Sequence, residues 1–242
     1  RAKPRKKNGM PQIKRRTTVS RRAPRPGHAA NPLQALAPEA TRDQRRAAGK
    51  ALRDRVPREL HGEWVAPPGR PDPVDLVVAS STGRIPELLP IRYGRMSASP
   101  FAFYRGTALN MAADLSSSPS TGIRTQVCGD CHLMNFGGFA TPERRVVFDI
   151  NDFDETLPGP WEWDVKRLAA SFVHAARSNG FTAADQRDAA TECVRSYRER
   201  MLEYAQMRAL DVWYSRIDVE EVLAYLSDKE SAARLRARLA KA

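Results

Sequence analysis

The sequence predicts an α+β fold, mostly helical, with a small β-hairpin near its middle. Two short β-prone stretches, Ile123 to Cys128 and Arg145 to Asn151, lie close together in the centre of the chain. After Pro158-Gly159-Pro160, apolar residues recur at three-to-four spacing. Hydrophobic residues make up 41% of the 242, enough to pack a core, though not along the whole length.

Residues 1–38 mix Pro, Gly and basic residues without apolar periodicity, and are expected to be a disordered basic tail. Residues 39–83 read as a linker and N-terminal helical segment. A charged helix covers about 41–55, Pro67, Pro68, Pro71 and Pro73 break the chain, and a short helical stretch runs from Asp75 to Ser80. Residues 84–242 hold the core. Residues 84–106 read as a loop carrying the aromatic cluster Phe101, Phe103 and Tyr104, and a helix follows over about 107–115. Gly137 and Gly138 mark a turn between the two β-prone stretches. Val165, Leu168, Ala169, Phe172 and Val173 then share one helix face, stopped by Asn179-Gly180. Thr182 and Asp185 form a capping box that opens a long helix to about Met207. Two shorter helices are expected near 218–226 and 229–241. The chain starts at Arg1 without an initiator Met and ends in a charged, helix-prone run, so a fragment of something longer is expected.

The net charge of +12 is unevenly spread. Residues 1–60 hold 18 Lys/Arg against 4 Asp/Glu, while the remainder holds 22 against 24. The high pI therefore belongs to the N-terminal quarter and not to the folded part. Three cysteines make no disulfide framework and fit a reducing compartment. No apolar run of membrane-spanning length and no apolar signal core occurs, so a cytoplasmic protein without membrane contact is expected.

The chemistry is concentrated in one segment, QVCGDCHLMNFGGFATPERRVVFDINDFDETLPGPWEWDVKRLAAS. Asp130 is followed after four residues by Asn135, and a β-prone run then leads to Asp149, Asp152 and Asp154. Metal-assisted phosphoryl transfer needs such groups. One carboxylate orients the attacking hydroxyl, while an Asn amide oxygen and a strand-end carboxylate hold magnesium against phosphates. Asp149, Asp152 and Asp154 are all candidate metal carboxylates. Arg105 is a candidate phosphate clamp and His132 a candidate ligand or base, though a structural hydrogen-bonding role suits such a His better.

Gly129-Asp130-Cys131-His132-Leu133-Met134-Asn135 resembles the H-G-D-x-H-x-x-N loop of aminoglycoside phosphotransferases and homoserine-kinase-like enzymes, with Cys128 where those have His. Gly159-Pro160-Trp161-Glu162-Trp163-Asp164-Val165 resembles their G-D-P-x-x-D-L segment, whose last Asp buttresses the catalytic loop; Asp164 matches it. SPFAFYRG, CGDCHLMNFGGF, FDINDFDETLPGPWEWDVKRLAAS and LDVWY resemble, more closely, the bacterial family called Domain of Unknown Function 2252, over roughly residues 50–242. This resemblance implies a protein-kinase-like core of the C-lobe type, a piece of a longer, permuted kinase-like domain. It also implies that a Gly-rich turn and a phosphate-binding Lys lie downstream of this chain. Neither G-x-G-x-x-G nor a P-loop occurs in it. Implied cofactors are Mg2+ and ATP or another nucleoside triphosphate, with Asp130 catalytic, Asp164 supporting, and an unknown hydroxyl-bearing small molecule as acceptor. The kinase-like resemblance implies Asp152 as the metal carboxylate, with Asp149 close behind and Asp154 in support.

Two other readings compete. A kinase-like fold without catalysis could act as a binding or scaffold module. Alternatively, residues 1–38 could make weak nucleic-acid contact and carry the function. The C-x-x-C formed by Cys128 and Cys131 suits redox chemistry poorly, because the following residues read as loop rather than helix. With His132 it supplies three zinc ligands at most, one short of a structural site. Trp161 and Trp163 are expected to pack against the following helix, and His28, His61 and His174 read as surface or helix residues.

Overall fold

Helix starts decide how the first half of the chain folds. The computed structural model describes residues 36–37, 39–226 and 228–239. Helix α1 (Arg42–Arg55) opens on a capping box in which Thr41 Oγ1 accepts from the Gln44 N–H and the Gln44 side chain accepts from the Thr41 N–H. Asp72 caps α2 (Pro73–Ala79) by accepting from the N–H groups of Val74 and Asp75. Residues 84–106, expected as loop, are largely helical. They form a short 3-10 turn, then α3 (Leu89–Met96) and α4 (Pro100–Arg105). Pro86, Pro90 and Pro100 sit in first turns, where a missing N–H leaves no intrahelical bond unmade. Helix α5 (Ala108–Leu115) follows.

Four strands come next: β1 (Arg124–Val127), β2 (Phe136–Ala140), β3 (Val146–Ile150) and β4 (Leu157–Pro160). They form two small antiparallel sheets instead of the single expected hairpin. Strand β1 pairs with β4, Val127 opposite Leu157, and β2 pairs with β3, Gly137 opposite Asp149. Gly137 and Gly138 lie inside β2, not in a turn; the turn falls between Ala140 and Val146, where Arg144 takes a φ of 59°. A glycine suits position 137 because a Cβ there would stand 2.5 Å from the Asn151 side-chain nitrogen.

The helical half begins with α6 (Trp161–Ser178), which packs along α7 (Ala183–Tyr204). Trp161 stacks on Tyr197 of α7 with ring centroids 5.8 Å apart, and the Thr182–Asp185 capping box is formed. Helix α8 (Ala209–Trp213), strand β5 (Ile217–Asp218), α9 (Val219–Tyr225) and α10 (Lys229–Leu239) complete the described chain, with β5 adding to the edge of β3. Helix α6 is the centre of the fold. It touches α4, α5, α7 and β1, and buries Glu162, Arg167, Ser171 and Ala176. All described residues fall in one compact α+β unit. The basic tail expected over residues 1–38 lies outside the described residues, apart from Leu36 and Ala37. Among the described residues, no helix is long and apolar enough to cross a membrane.

Candidate functional site

The loop from Cys128 to Asn135 leaves β1 and is pinned at three points. In the first turn of α6, Asp164 accepts from the N–H of Cys128 at 2.7 Å and from that of Gly129 at 3.1 Å, one through each carboxylate oxygen. Two backbone donors that would otherwise be orphaned at the bend are thereby satisfied. Gly129 takes a φ of +80°, and a Cβ on it would stand 2.0 Å from the Glu155 carbonyl oxygen, so no other residue fits this contact. Further along, the Leu133 N–H donates to Ser171 Oγ at 2.9 Å, and Ser171 is wholly buried in α6.

Asn135 supplies the third pin. Its Oδ1 accepts from the Asp152 N–H at 3.0 Å, while Nδ2 donates to the carbonyls of Asp130 at 3.1 Å and Asp152 at 3.0 Å. The buried carboxamide thus bridges the Asp130 loop to the acidic segment that follows β3. Its oxygen keeps one free lone pair.

Asp130 is held by a different kind of partner. The guanidinium of Arg167, only 2% exposed, donates to Asp130 Oδ1 through Nε at 2.9 Å and also through Nη2. Arg167 Nη2 also donates to the Tyr104 carbonyl at 2.9 Å, its guanidinium lies 4.6 Å from the centre of the Tyr104 ring, and the Tyr104 hydroxyl donates to the Arg167 carbonyl at 2.7 Å. Asp130 Oδ2 stands 3.5 Å from His132 Nε2. Burial pushes the Asp130 carboxyl up, and Arg167 pulls it partly back. His132 is pushed down to about 4 by burial and by the charges of Arg167 and Arg105, so its imidazole is neutral near pH 7.

Asp130 and Asp152 open onto the same cleft. A cavity of about 320 Å³ is lined by Asp130, Asp152, Asp154 and Glu155 together with Arg84, Arg92 and Arg105. It adjoins a larger one of about 1050 Å³ that shares both Asp130 and Asp152 and all three arginines, and adds Arg95, His132, Asn135 and an apolar wall including Leu88 and Met134.

Of the sequence-derived site residues, Asp130, Asp152, Asp154, Arg105, His132 and Asn135 all line this cleft. Asp149 does not line either cavity; it is exposed on β3, and its Oδ1 accepts from the neighbouring Ile150 N–H. Asp152 Oδ1 accepts from the Asp154 N–H at 3.1 Å, which sets the bend that carries both carboxylates. Among the described residues, no three His, Cys, Asp or Glu side chains gather closely enough to hold a metal by themselves. Cys128 and Cys131 are both buried free thiols.

Arg167, Arg84 and Arg92 went unnoticed in the sequence. Arg167 follows Asp164 by three residues and so shares its helix face, a spacing that could have flagged it. His61 and His174 are half-buried and line a separate cavity of about 580 Å³ with Trp64, Asn110 and Lys166.

The fold and the site together define an α+β protein whose central loop is braced by a helix-borne carboxylate and faces an arginine-lined cleft. Residues 84–242 match the family described as "Uncharacterized protein conserved in bacteria (DUF2252)", and the chain belongs to that family. No curated protein and no solved structure matches the chain.

Proposed function

We propose that this chain carries the acceptor and metal side of a kinase-like phosphotransferase, which moves a phosphoryl group from a nucleoside triphosphate to a hydroxyl on a small molecule. The observation that carries this reading is the opening of Asp130 and Asp152 onto one cleft, cross-linked through Asn135, while Asp164 braces the loop from behind. Magnesium and a nucleotide fit this donor set. Hard carboxylate oxygens and guanidinium groups line the same cavity, and magnesium is commonly held by one or two carboxylates together with phosphate oxygens. Asp152, with Asp154 beside it and the free lone pair of Asn135 Oδ1, would hold the ion, whose contribution is to neutralise charge on the phosphate oxygens.

Asp130 is the group to orient the acceptor hydroxyl. Arg167 occupies its Oδ1, which fixes the plane of the carboxylate and leaves Oδ2 toward His132 and the cleft. The upward push of burial suits a carboxylate that must draw a proton in the transition state. His132, neutral near pH 7, adds no competing positive charge beside Oδ2. Positioning and charge neutralisation supply the rate, without a covalent intermediate.

A second reading, a kinase-like binding module without transfer, is favoured by the engagement of the Asn135 carboxamide with backbone groups of Asp130 and Asp152. The two are separated by incubating the protein with magnesium and γ-labelled ATP over a panel of sugars, amino alcohols and aminoglycosides. The transferase reading expects label on one acceptor class and its loss in Asp130→Asn with nucleotide binding kept. Nucleotide binding without transfer to any acceptor, unaffected by Asp130→Asn, would favour the binding module.

A further inference from the structure

We infer that Arg84, Arg92 and Arg105 form a phosphate clamp that receives a di- or triphosphate group in the cavity they share with Asp130 and Asp152. The three come from separate segments: the turn after α2, the middle of α3 and the end of α4. They nevertheless line one small cavity and are shared with the larger one beside it. Arg92 is aimed by the fold, since its Nη2 donates to the Gly106 carbonyl at 3.0 Å and to Ser80 Oγ at 3.4 Å. Arg84 Nε donates to the Ser80 carbonyl at 3.1 Å. Its nearest acid is Glu155, at the outer limit of 4.0 Å.

Some arginines elsewhere have close carboxylates, as Arg70 does in Asp114 at 2.6 Å and Arg208 in Asp211 at 2.8 Å. Among the described residues, Arg92 and Arg105 have no carboxylate within ion-pair distance. Burial and the neighbouring charge of Arg84 push the Arg92 guanidinium down, more than Tyr93 and Glu155 pull it back. An anion with several oxygens in fixed geometry relieves that repulsion, and the guanidinium fork matches phosphate oxygens in pairs. Asp130, Asp152, Asp154 and Glu155 line the same cavity, so a bare monoanion gains little, whereas a polyphosphate carrying a divalent cation meets both kinds of charge. The larger cavity beside it has room for the rest of such a ligand. Assignment of the phosphate to the donor rests on the phosphotransferase reading; the anion site itself does not.

The test uses inorganic pyrophosphate as probe, titrated calorimetrically with and without magnesium into the wild type and into Arg84→Gln/Arg105→Gln. Both replaced side chains are exposed, so the melting temperature without ligand should be unchanged. Pyrophosphate should bind the wild type and weaken by about tenfold or more in the double variant, as expected for lost charge-assisted hydrogen bonds. Arg92→Lys, which keeps the charge and loses the fork, should fall between the two. Equal affinity in the wild type and the double variant, or no binding by folded wild type, overturns the clamp. Pyrophosphate binding that depends on the arginines, in a protein that ignores ATP, keeps the clamp and removes the phosphotransferase reading. Magnesium-dependent ATP binding indifferent to the arginines does the reverse.

Discussion

Asp130 and Asp164 grip the same loop with the same functional group and do different work. Burial pushes both carboxyl groups up. Asp164 is pulled back by two backbone N–H groups, one on each oxygen, so both of its oxygens are engaged in holding the loop. Asp130 is pulled back by a buried guanidinium on one oxygen, and its other oxygen opens toward His132 and the cleft. A carboxylate with both oxygens engaged by backbone N–H groups is a brace. One held by half, with its counter-charge buried behind it, is available for chemistry.

Removing the counter-charge should break this contrast most severely. Arg167→Met leaves Asp130 buried beside no cation and should cost about 3 to 5 kcal/mol in urea unfolding, as breaking a buried pair does. A loss below about 1 kcal/mol would mean that Asp130 is better solvated than its burial indicates. Asp164→Ala should follow at about 2 to 4 kcal/mol, since two partly buried N–H groups lose their acceptor. Hydrogen exchange at the Cys128 and Gly129 amides should accelerate in this variant and remain slow in Asp130→Asn.

Acid should act through His132. Its folded value is pushed down to about 4 from an ordinary 6.5, so the unfolded chain binds the proton first. Stability from this group is complete above about pH 6.5 and falls as the pH drops toward 4, by up to about 3 kcal/mol. Asp130 and Asp164, both pushed up, act with the opposite sign, because the folded state keeps their protons to higher pH. His132→Gln should therefore flatten the stability profile between pH 6.5 and 4, read from urea midpoints. An unchanged profile would place the acid sensitivity elsewhere. The smallest effect on stability belongs to Asp152→Asn, within about 0.5 kcal/mol, because the Asn135 bridge uses only the backbone of Asp152.

How much of this the sequence disclosed follows from what each signal encodes. The Asp130-to-Asn135 spacing and the helix-start Asp164 are local, and each survives intact as geometry. Spacing could not show which way the Asn135 carboxamide turns, because its partners at Asp152 come from beyond a strand pair. Nor could it separate Asp149 from Asp152, since the choice depends on where β3 ends and the chain bends. Arg84, Arg92 and Arg105 are scattered over a stretch that reads as loop, and only the fold of α3 and α4 gathers them. Arg167 looked like one more charge on an amphipathic helix, yet it is among the most buried side chains described.

The most direct test is a calorimetric titration of ATP, with and without magnesium, into the wild type and Asp152→Asn. Magnesium-dependent binding by the wild type, weakened by about tenfold or more in a variant of unchanged melting temperature, is the predicted result. A folded wild type that binds no nucleotide, or a variant that binds it equally well, would contradict the account.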